Sequence, residues 1–582
     1  MQKKEMFSYR TDIDGLRAIA VLVVIFFHFG YLTNGYLGVD VFFVISGYLI
    51  TKIIYQEAGE NNFSIFNFYL RRIRRIIPLV LFIIIVSLII GVIVMLPDDL
   101  ENFAQSIVAT NFFSNNILQL ITTRDYWNIV NEYKPLMHTW SLGVEEQFYF
   151  IYPILFLILG NRKKLKYILP SLIFLSSISL FLFLFYSDAN AKFYLIQYRF
   201  WELSLGGIGA ILTNKKEINA KFKFVFIILL LLLFFIDISN ELKILFTVIS
   251  TLGILLLNKN QDKFSVFILE NKILVLIGKI SFSLYMWHQV ILAYYRYVIS
   301  NTISLTAFFL LLGVIFILSL FSYHFIEEIF RNKKKISVKS LFVIVITASV
   351  CTTLSSLYIY KIGGVIHDVP ELEIRKDNAK RNMHALYNDR IYEMDKAFTS
   401  QNNIKILVIG NSFGRDWANV LLESKYANRI EISYVSDIYN CKDINERLKV
   451  ADYIYMAESD KIVSKYDLLK IIKEFNMDFK KVWIIGTKNF GKNNGVIYNN
   501  KGESDYCSQR IKMNDGYIEA NNRMKSKWKD KYIDIIGLVI DKDGKVPVFT
   551  PDCKFISQDC AHFTHAGAVY YANLIEKVII IK

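Results

Sequence analysis

Two sets of residues in this 582-residue chain have the types and spacing that chemistry needs. The first lies between Tyr9 and Thr51, where two apolar runs carry Asp14, Arg17, His28 and Asp40. An ionisable side chain in a membrane-length apolar run is costly and marks a site. On a helix the step from Arg17 to His28 is almost three turns, which puts both on one face roughly 16 Å apart. A turn at Thr33-Asn34-Gly35 lies midway between His28 and Asp40, so a helical hairpin brings these two to similar depth. A carboxylate beside an imidazole fixes its tautomer and raises its basicity, as a general base requires. The competing reading is a histidine that only hydrogen-bonds a neighbouring helix.

The second set is Ser412 in Ile409-Gly-Asn-Ser-Phe-Gly-Arg415, with Asp559 and His562 in Asp559-Cys-Ala-His562. A serine on a tight strand-to-helix turn has an exposed hydroxyl beside a helix N-terminus, which suits a nucleophile. The DxxH spacing lets the aspartate orient the histidine and completes Ser-His-Asp logic. His565 is an alternative to His562. Two further motifs sit beside apolar runs. Arg71-Arg-Ile-Arg-Arg75 closes a loop before Pro78 and either anchors headgroups or binds phosphates. His138, Glu145 and Glu146 enter a run together within Lys134–Tyr149, which favours a site over simple helix-dipole placement.

The elements that must hold these residues are mostly membrane helices. The chain is 54% hydrophobic, with a mean hydropathy of +0.34. Eleven runs approach spanning length: 15–33, 36–55, 76–96, 143–160, 167–186, 199–213, 223–238, 242–258, 273–297, 303–326 and 338–360. Alternate connections are basic: Arg71–Arg75, then Arg162, Lys163, Lys164 and Lys166, then Lys215, Lys216, Lys221 and Lys223. Lys259, Lys263 and Lys272 follow, and then Arg331, Lys333, Lys334, Lys335 and Lys339. That asymmetry accounts for much of the net charge of +15 without nucleic acid. It predicts a cytoplasmic N-terminus and an extracytoplasmic C-terminus. The polar intrusions in the first run and the immediate second run argue against a cleaved signal.

Residues 361–402 are polar and read as a linker or extension. Beyond them, Lys405–Gly410 and Lys481–Gly486 read as buried strands, with helices at 413–424 and 464–475. The expected fold class is therefore a multi-pass α-helical membrane bundle of about eleven spans plus a C-terminal α/β domain with a parallel sheet. The domains are 1–335, an extra helix at 336–360, the linker, and 403–582. No metal-ligand spacing occurs among Cys351, Cys441, Cys507, Cys553 and Cys560, so no metal is expected. Export of the C-terminal part makes disulfides plausible, with Cys553–Cys560 and Cys441–Cys507 among the pairings left open.

The combination of Asp12–Ala18, His28, Gly38–Ile50, Arg71–Pro78, His138–Tyr149, Trp201-Glu202-Leu203, Ile280–His288 and Phe325-Ile-Glu327 resembles the membrane acyltransferase-3 family. The resemblance covers residues 9–331 and implies transfer of an acyl group, usually acetyl from cytoplasmic acetyl-CoA, to a hydroxyl of an extracytoplasmic glycan. It matches His28 to the family's essential histidine and an RxxR pair, linked with the donor, to Arg72 and Arg75; Arg71 and Arg74 fit the same spacing. Residues 403–582 resemble the SGNH esterase and acetyltransferase family, which implies Ser412 as nucleophile, His562 as base and Asp559 as its orienter. Asn411 stands where the usual first block has Asp, no clear second-block glycine is found, and Asn489 of Gly486-Thr-Lys-Asn489 is the candidate oxyanion donor. The site set expected is thus His28, Asp40, Glu145, Ser412, Asp559 and His562 for catalysis, with Arg17, Arg72 and Arg75 for the donor. The expected protein is an inner-membrane O-acetyltransferase acting on lipopolysaccharide O-antigen or, as runner-up, peptidoglycan. A transporter or flippase is the alternative of another class.

Overall fold

The computed structural model describes residues 9–122, 129–159, 165–213, 218–259, 262–376, 383–457, 468–502, 505–514, 516–576, 579 and 581. Arg162, Lys163, Lys164, Lys215 and Lys216 of the loop-charge pattern lie outside the described residues. The chain forms two compact units. One comprises Met1–Ile93, Phe103–Arg296 and Thr302–Leu357; the other comprises Val94–Asn102, Tyr297–Asn301 and Tyr358–Lys582.

The first unit is helical. Each of the eleven apolar segments holds a helix, and among the described residues six helices are long and apolar enough to cross a membrane. A seventh span is counted when α6 (Lys272–Lys279) and α7 (Ser281–Val298), bent by 69°, act together. The protein is a multi-pass membrane protein. The segments at 15–33, 199–213, 223–238 and 242–258 fall short of that standard for physical reasons. Helix α1 (Thr11–His28) carries Asp12, Asp14 and Arg17 within 18 residues, and α5 (Ile196–Thr213) carries Arg199 and Glu202. The other two helices have only 11 and 17 residues.

Helix α2 (Gly38–Gly59) packs on α5 with the backbones in near contact. A Cβ at Gly47 would overlap the carbonyl of Leu203, and one at Gly206 would overlap the carbonyl of Val44. Small residues give membrane helices this close approach, where apolar burial supplies no drive of its own. Helix α3 (Ile65–Val94) starts well before Pro78, so Arg71–Arg75 lie within a helix and not in the loop expected from sequence. The apolar residues Ile65, Phe66, Phe68 and Leu70 extend the helical segment back to Ile65.

The second unit is built on a five-stranded parallel sheet: β1 (Ile404–Gly410), β2 (Ile430–Val435), β3 (Tyr453–Ala457), β4 (Val482–Ile485) and β5 (Tyr532–Ile533), in the order β2-β1-β3-β4-β5. Both faces are covered. Ile406 and Val408 of β1 join Trp417, Leu421 and Tyr571 on one side. Leu407 and Ile409 join Ile444, Leu448, Ile471 and Trp528 on the other. That is the period-two alternation of a strand between two helical layers. The helices expected at 413–424 and 464–475 appear as α8 (Ser412–Leu422) and, after β3, Leu468–Glu474, with residues 464–467 of the second outside the described residues.

The stretch 361–402 is no free linker. Ile391 is fully buried in the sheet's core, and Asn388 is buried with it. The disulfide joins Cys507 to Cys553, which leaves Cys441 and Cys560 as free thiols. Neither the Cys553–Cys560 nor the Cys441–Cys507 pairing forms, because the antiparallel pairing of Arg510–Lys512 with Lys545–Pro547 joins the segments that carry Cys507 and Cys553.

Candidate active site

In the α/β unit the site begins at the end of β1. Gly410 has φ +147, and a Cβ there would overlap the carbonyl of Ala457, so the turn requires glycine. Asn411 caps α8: its Oδ1 accepts from the N–H of Phe413 at 3.0 Å. The residue that departs from the usual Asp thus still performs an acidic residue's capping role. Tyr434 pins the turn by donating its hydroxyl to the carbonyls of Gly410 (2.8 Å) and Asn411 (3.1 Å). Ser412 is therefore the first residue of α8, at the carboxyl end of β1 and beside the β1/β3 switch in strand order. Sites in open parallel sheets form there.

The loop before α9 (His565–Ile575) brings the other two groups. His562 Nε2 lies 2.7 Å from Ser412 Oγ, and His562 Nδ1 lies 2.6 Å from Asp559 Oδ2. Asp559 Oδ1 accepts from the backbone N–H groups of His562 (2.7 Å) and Ala561 (2.9 Å). The carboxylate holds the proton on Nδ1 and leaves the Nε2 lone pair for the serine. Burial presses the His562 pKa down, but the charge and hydrogen bond of Asp559 outweigh it, so the pKa is raised.

Three neighbours that sequence reasoning missed hold this chain of bonds. Asp416, one turn beyond Ser412, accepts from the N–H of Phe563 at 3.0 Å and pairs with Lys488 Nζ at 2.7 Å. Lys488 is buried over the Phe413 ring, 3.5 Å from its centroid, and burial lowers its pKa against the pull of Asp416. Asn388 donates to the Phe563 carbonyl (3.3 Å) and accepts from Asn419 of α8 (3.1 Å). The only sequence signal was the helical i, i+4 step from Ser412 to Asp416.

Two expectations are corrected. Asn489, the proposed oxyanion donor, is a loop pin: its Oδ1 accepts from the N–H groups of Gly491 (3.1 Å) and Asn514 (2.8 Å), and its amide faces the Cys560 carbonyl at 3.4 Å. His565 binds Glu373 at 2.9 Å and stands outside the triad. Residues 458–467, which follow β3, lie outside the described residues.

In the helical unit, Asp40 does not serve His28. It pairs with Arg199 Nη1 at 2.9 Å, and Glu202 meets the same nitrogen at 2.8 Å. A buried carboxylate takes the nearest cation because unpaired burial is far costlier than a lost orienting bond. His28, the last residue of α1, instead lies against the His288 ring, with centroids 5.1 Å apart. Glu145, on α4 (Thr139–Leu159), accepts from Ser46 (3.0 Å) and Tyr149 (3.1 Å). It lines a cavity with Arg17, Arg72, Arg75, Ser141 and Tyr285.

A second cavity shares Arg17, Arg75 and Leu49 with the first and adds Arg10, Arg71, Arg74, Lys279, Arg331 and Lys333. The two RxxR registers differ in their surroundings. Arg71 pairs with Glu57 (3.0 Å), and Arg74 donates to the carbonyls of Phe330 (2.9 Å) and Ile336 (2.8 Å). Arg72 and Arg75, one turn apart on one face of α3, line the inner cavity. Clustered guanidinium groups on a cavity wall suit phosphate groups, which arginine binds bidentately.

The acyltransferase domain family matches residues 10–324, which holds the arginine cavity, His28 and Glu145. The chain belongs to the acyltransferase-3 family. It is similar to the O-acetyltransferase OatA of Staphylococcus aureus (strain NCTC 8325 / PS 47), with 33% identity over 356 residues, 57% of this chain and 59% of the relative. A provisionally named O-acetyltransferase of Staphylococcus aureus (strain MSSA476), SAS0844, is 30% identical over 358 residues with the same coverage. The chain spans about 59% of the length of these curated relatives. No solved structure matches it.

Proposed function

We propose that this acyltransferase-3 protein is an O-acetyltransferase that moves acetyl from cytoplasmic acetyl-CoA across the membrane to a hydroxyl of a bacterial surface glycan. The observation that carries the reading is the hydrogen-bonded Ser412–His562–Asp559 chain on a polypeptide whose other unit is a family acyltransferase. All eleven helical segments then belong to the bundle, which stands in the cytoplasmic membrane with its N-terminus inside and an SGNH-type unit outside.

CoA phosphates bind Arg17, Arg72 and Arg75, and the thioester reaches towards Glu145 and His28, which acts as base or as first acyl acceptor. Acetyl then passes to Ser412. His562 Nε2 takes the Ser412 proton as Oγ attacks the acyl carbon, Asp559 stabilises the imidazolium, and the α8 N-terminus favours the oxyanion; the bond from the acyl carbon to the donor atom then breaks, and His562 gives its proton to that atom. A glycan hydroxyl resolves the acyl-serine by the same steps in reverse. A transporter needs neither a triad nor a phosphate-binding cavity.

The test is O-acetyl content, by NMR, of lipopolysaccharide O-antigen and of peptidoglycan from a deletion strain complemented with wild type, His28→Ala or Ser412→Ala, with expression matched by blot. Acetyl lost from one glycan in both variants is the expected result and names the acceptor. Loss with His28→Ala alone makes the α/β unit an accessory. Wild-type acetylation in both variants rejects the reading.

A further inference from the structure

His288 has the orientation that a base requires, and the reading above leaves it unused. Its Nδ1 lies 2.6 Å from the carbonyl oxygen of Tyr285, one turn back on α7. A carbonyl only accepts, so Nδ1 carries the hydrogen and Nε2 is left as a bare lone pair. The ring is fully buried, and among the described residues Nε2 meets no hydrogen-bond partner. The His28 ring stands 5.1 Å away and the His138 ring 5.4 Å away. Among the described residues, neither ring nitrogen of His138 has a hydrogen-bond partner of good geometry. Two turns along α7, Arg296 donates Nη2 to the His28 carbonyl at 2.5 Å, and its Nη1 is buried without an acceptor.

An orphaned buried polar atom is costly, so the orphans gathered near His28 call for a ligand. At His288 the ligand must give a hydrogen to a lone pair. A thioester carbonyl cannot; an alcohol can.

We propose that His288 is the general base of the first transfer, taking the proton of the hydroxyl that receives acetyl from CoA beside His28 before acetyl passes to Ser412. The inference rests on the acyltransferase reading. The hydroxyl oxygen bonds to the acyl carbon, the bond from that carbon to its leaving atom breaks with the electron pair on that atom, and the hydroxyl proton passes to His288 Nε2. The imidazolium then gives its proton to the CoA thiolate, which restores the starting tautomer. Tyr285 supplies through its carbonyl what Asp559 supplies to His562.

The experiment uses permeabilised membranes that contain the full chain and the host's own glycan, labelled with radioactive acetyl-CoA. Acetyl-CoA binding to the purified chain is followed in parallel by thermal shift. His288→Gln keeps a polar side chain of similar length but cannot take a proton. It is expected to lower transfer about 10²–10⁴-fold with the acetyl-CoA shift unchanged. A loss under about tenfold overturns the proposal, and so does joint loss of transfer and binding, which marks a structural role. If the wild-type chain transfers no label and shows no shift, the acyltransferase reading itself has failed.

Discussion

His562 in the α/β unit and His28 in the helical unit looked alike in sequence, each with an aspartate in reach. In the structure the first keeps its carboxylate and the second does not. The Asp559 side chain is 43% exposed, so water offsets most of the cost of its charge while it binds His562. The Asp40 side chain is 4% exposed and sits on Arg199 together with Glu202. In a water-poor bundle a carboxylate is tied to its counter-ion before it can serve chemistry. A catalytic histidine there draws its orientation from neutral groups, and the Tyr285 carbonyl on His288 is such a group. Arginines are less constrained in this way, since a charged ligand can complete them.

The contrast breaks most sharply in the α/β unit. Ser412→Ala should lower hydrolysis of p-nitrophenyl acetate by the full chain about 10⁶-fold, and Asp559→Asn about 10⁴-fold through loss of the tautomer. A drop below tenfold for Asp559→Asn would mean that its carboxylate is as idle as Asp40 is for His28. In the bundle, Arg199→Leu strands two buried carboxylates and should destabilise by about 3–5 kcal/mol, read as a lower melting temperature in detergent. Adding Asp40→Asn and Glu202→Gln should restore most of it. Activity abolished by Asp40→Asn at unchanged stability would return Asp40 to His28.

The smallest effect sharpens the electrostatics around His562. The histidine works as base only when neutral, so the rate rises with pH through its pKa. Asp559 raises that pKa, while Lys488 opposes the rise. Lys488→Met should therefore move the rising limb of the esterase pH profile to higher pH, and the residual activity of Asp559→Asn should rise at lower pH. A limb that stays in place for Lys488→Met would leave Lys488 a packing role with Asp416.

Much of this was legible in the chain. Apolar run length, loop charge and period-two strands are local properties, so the helical bundle, the parallel sheet and the Ser412, Asp559 and His562 positions follow from short stretches. The family pattern singled out His28 and the RxxR cluster for the same reason: their motifs are contiguous. Tertiary structure alone decided the partners. Which register of Arg71–Arg75 lines the cavity beside Glu145 depends on the carbonyls of Phe330 and Ile336, far along the chain, which take Arg74. That Asp40 belongs to Arg199, that Asp416 and Lys488 lie behind the triad, and that Cys507 finds Cys553 all depend on which side chains a packed interior brings together. A buried charge or thiol is defined by its nearest partner in space, and spacing along the chain does not carry that distance.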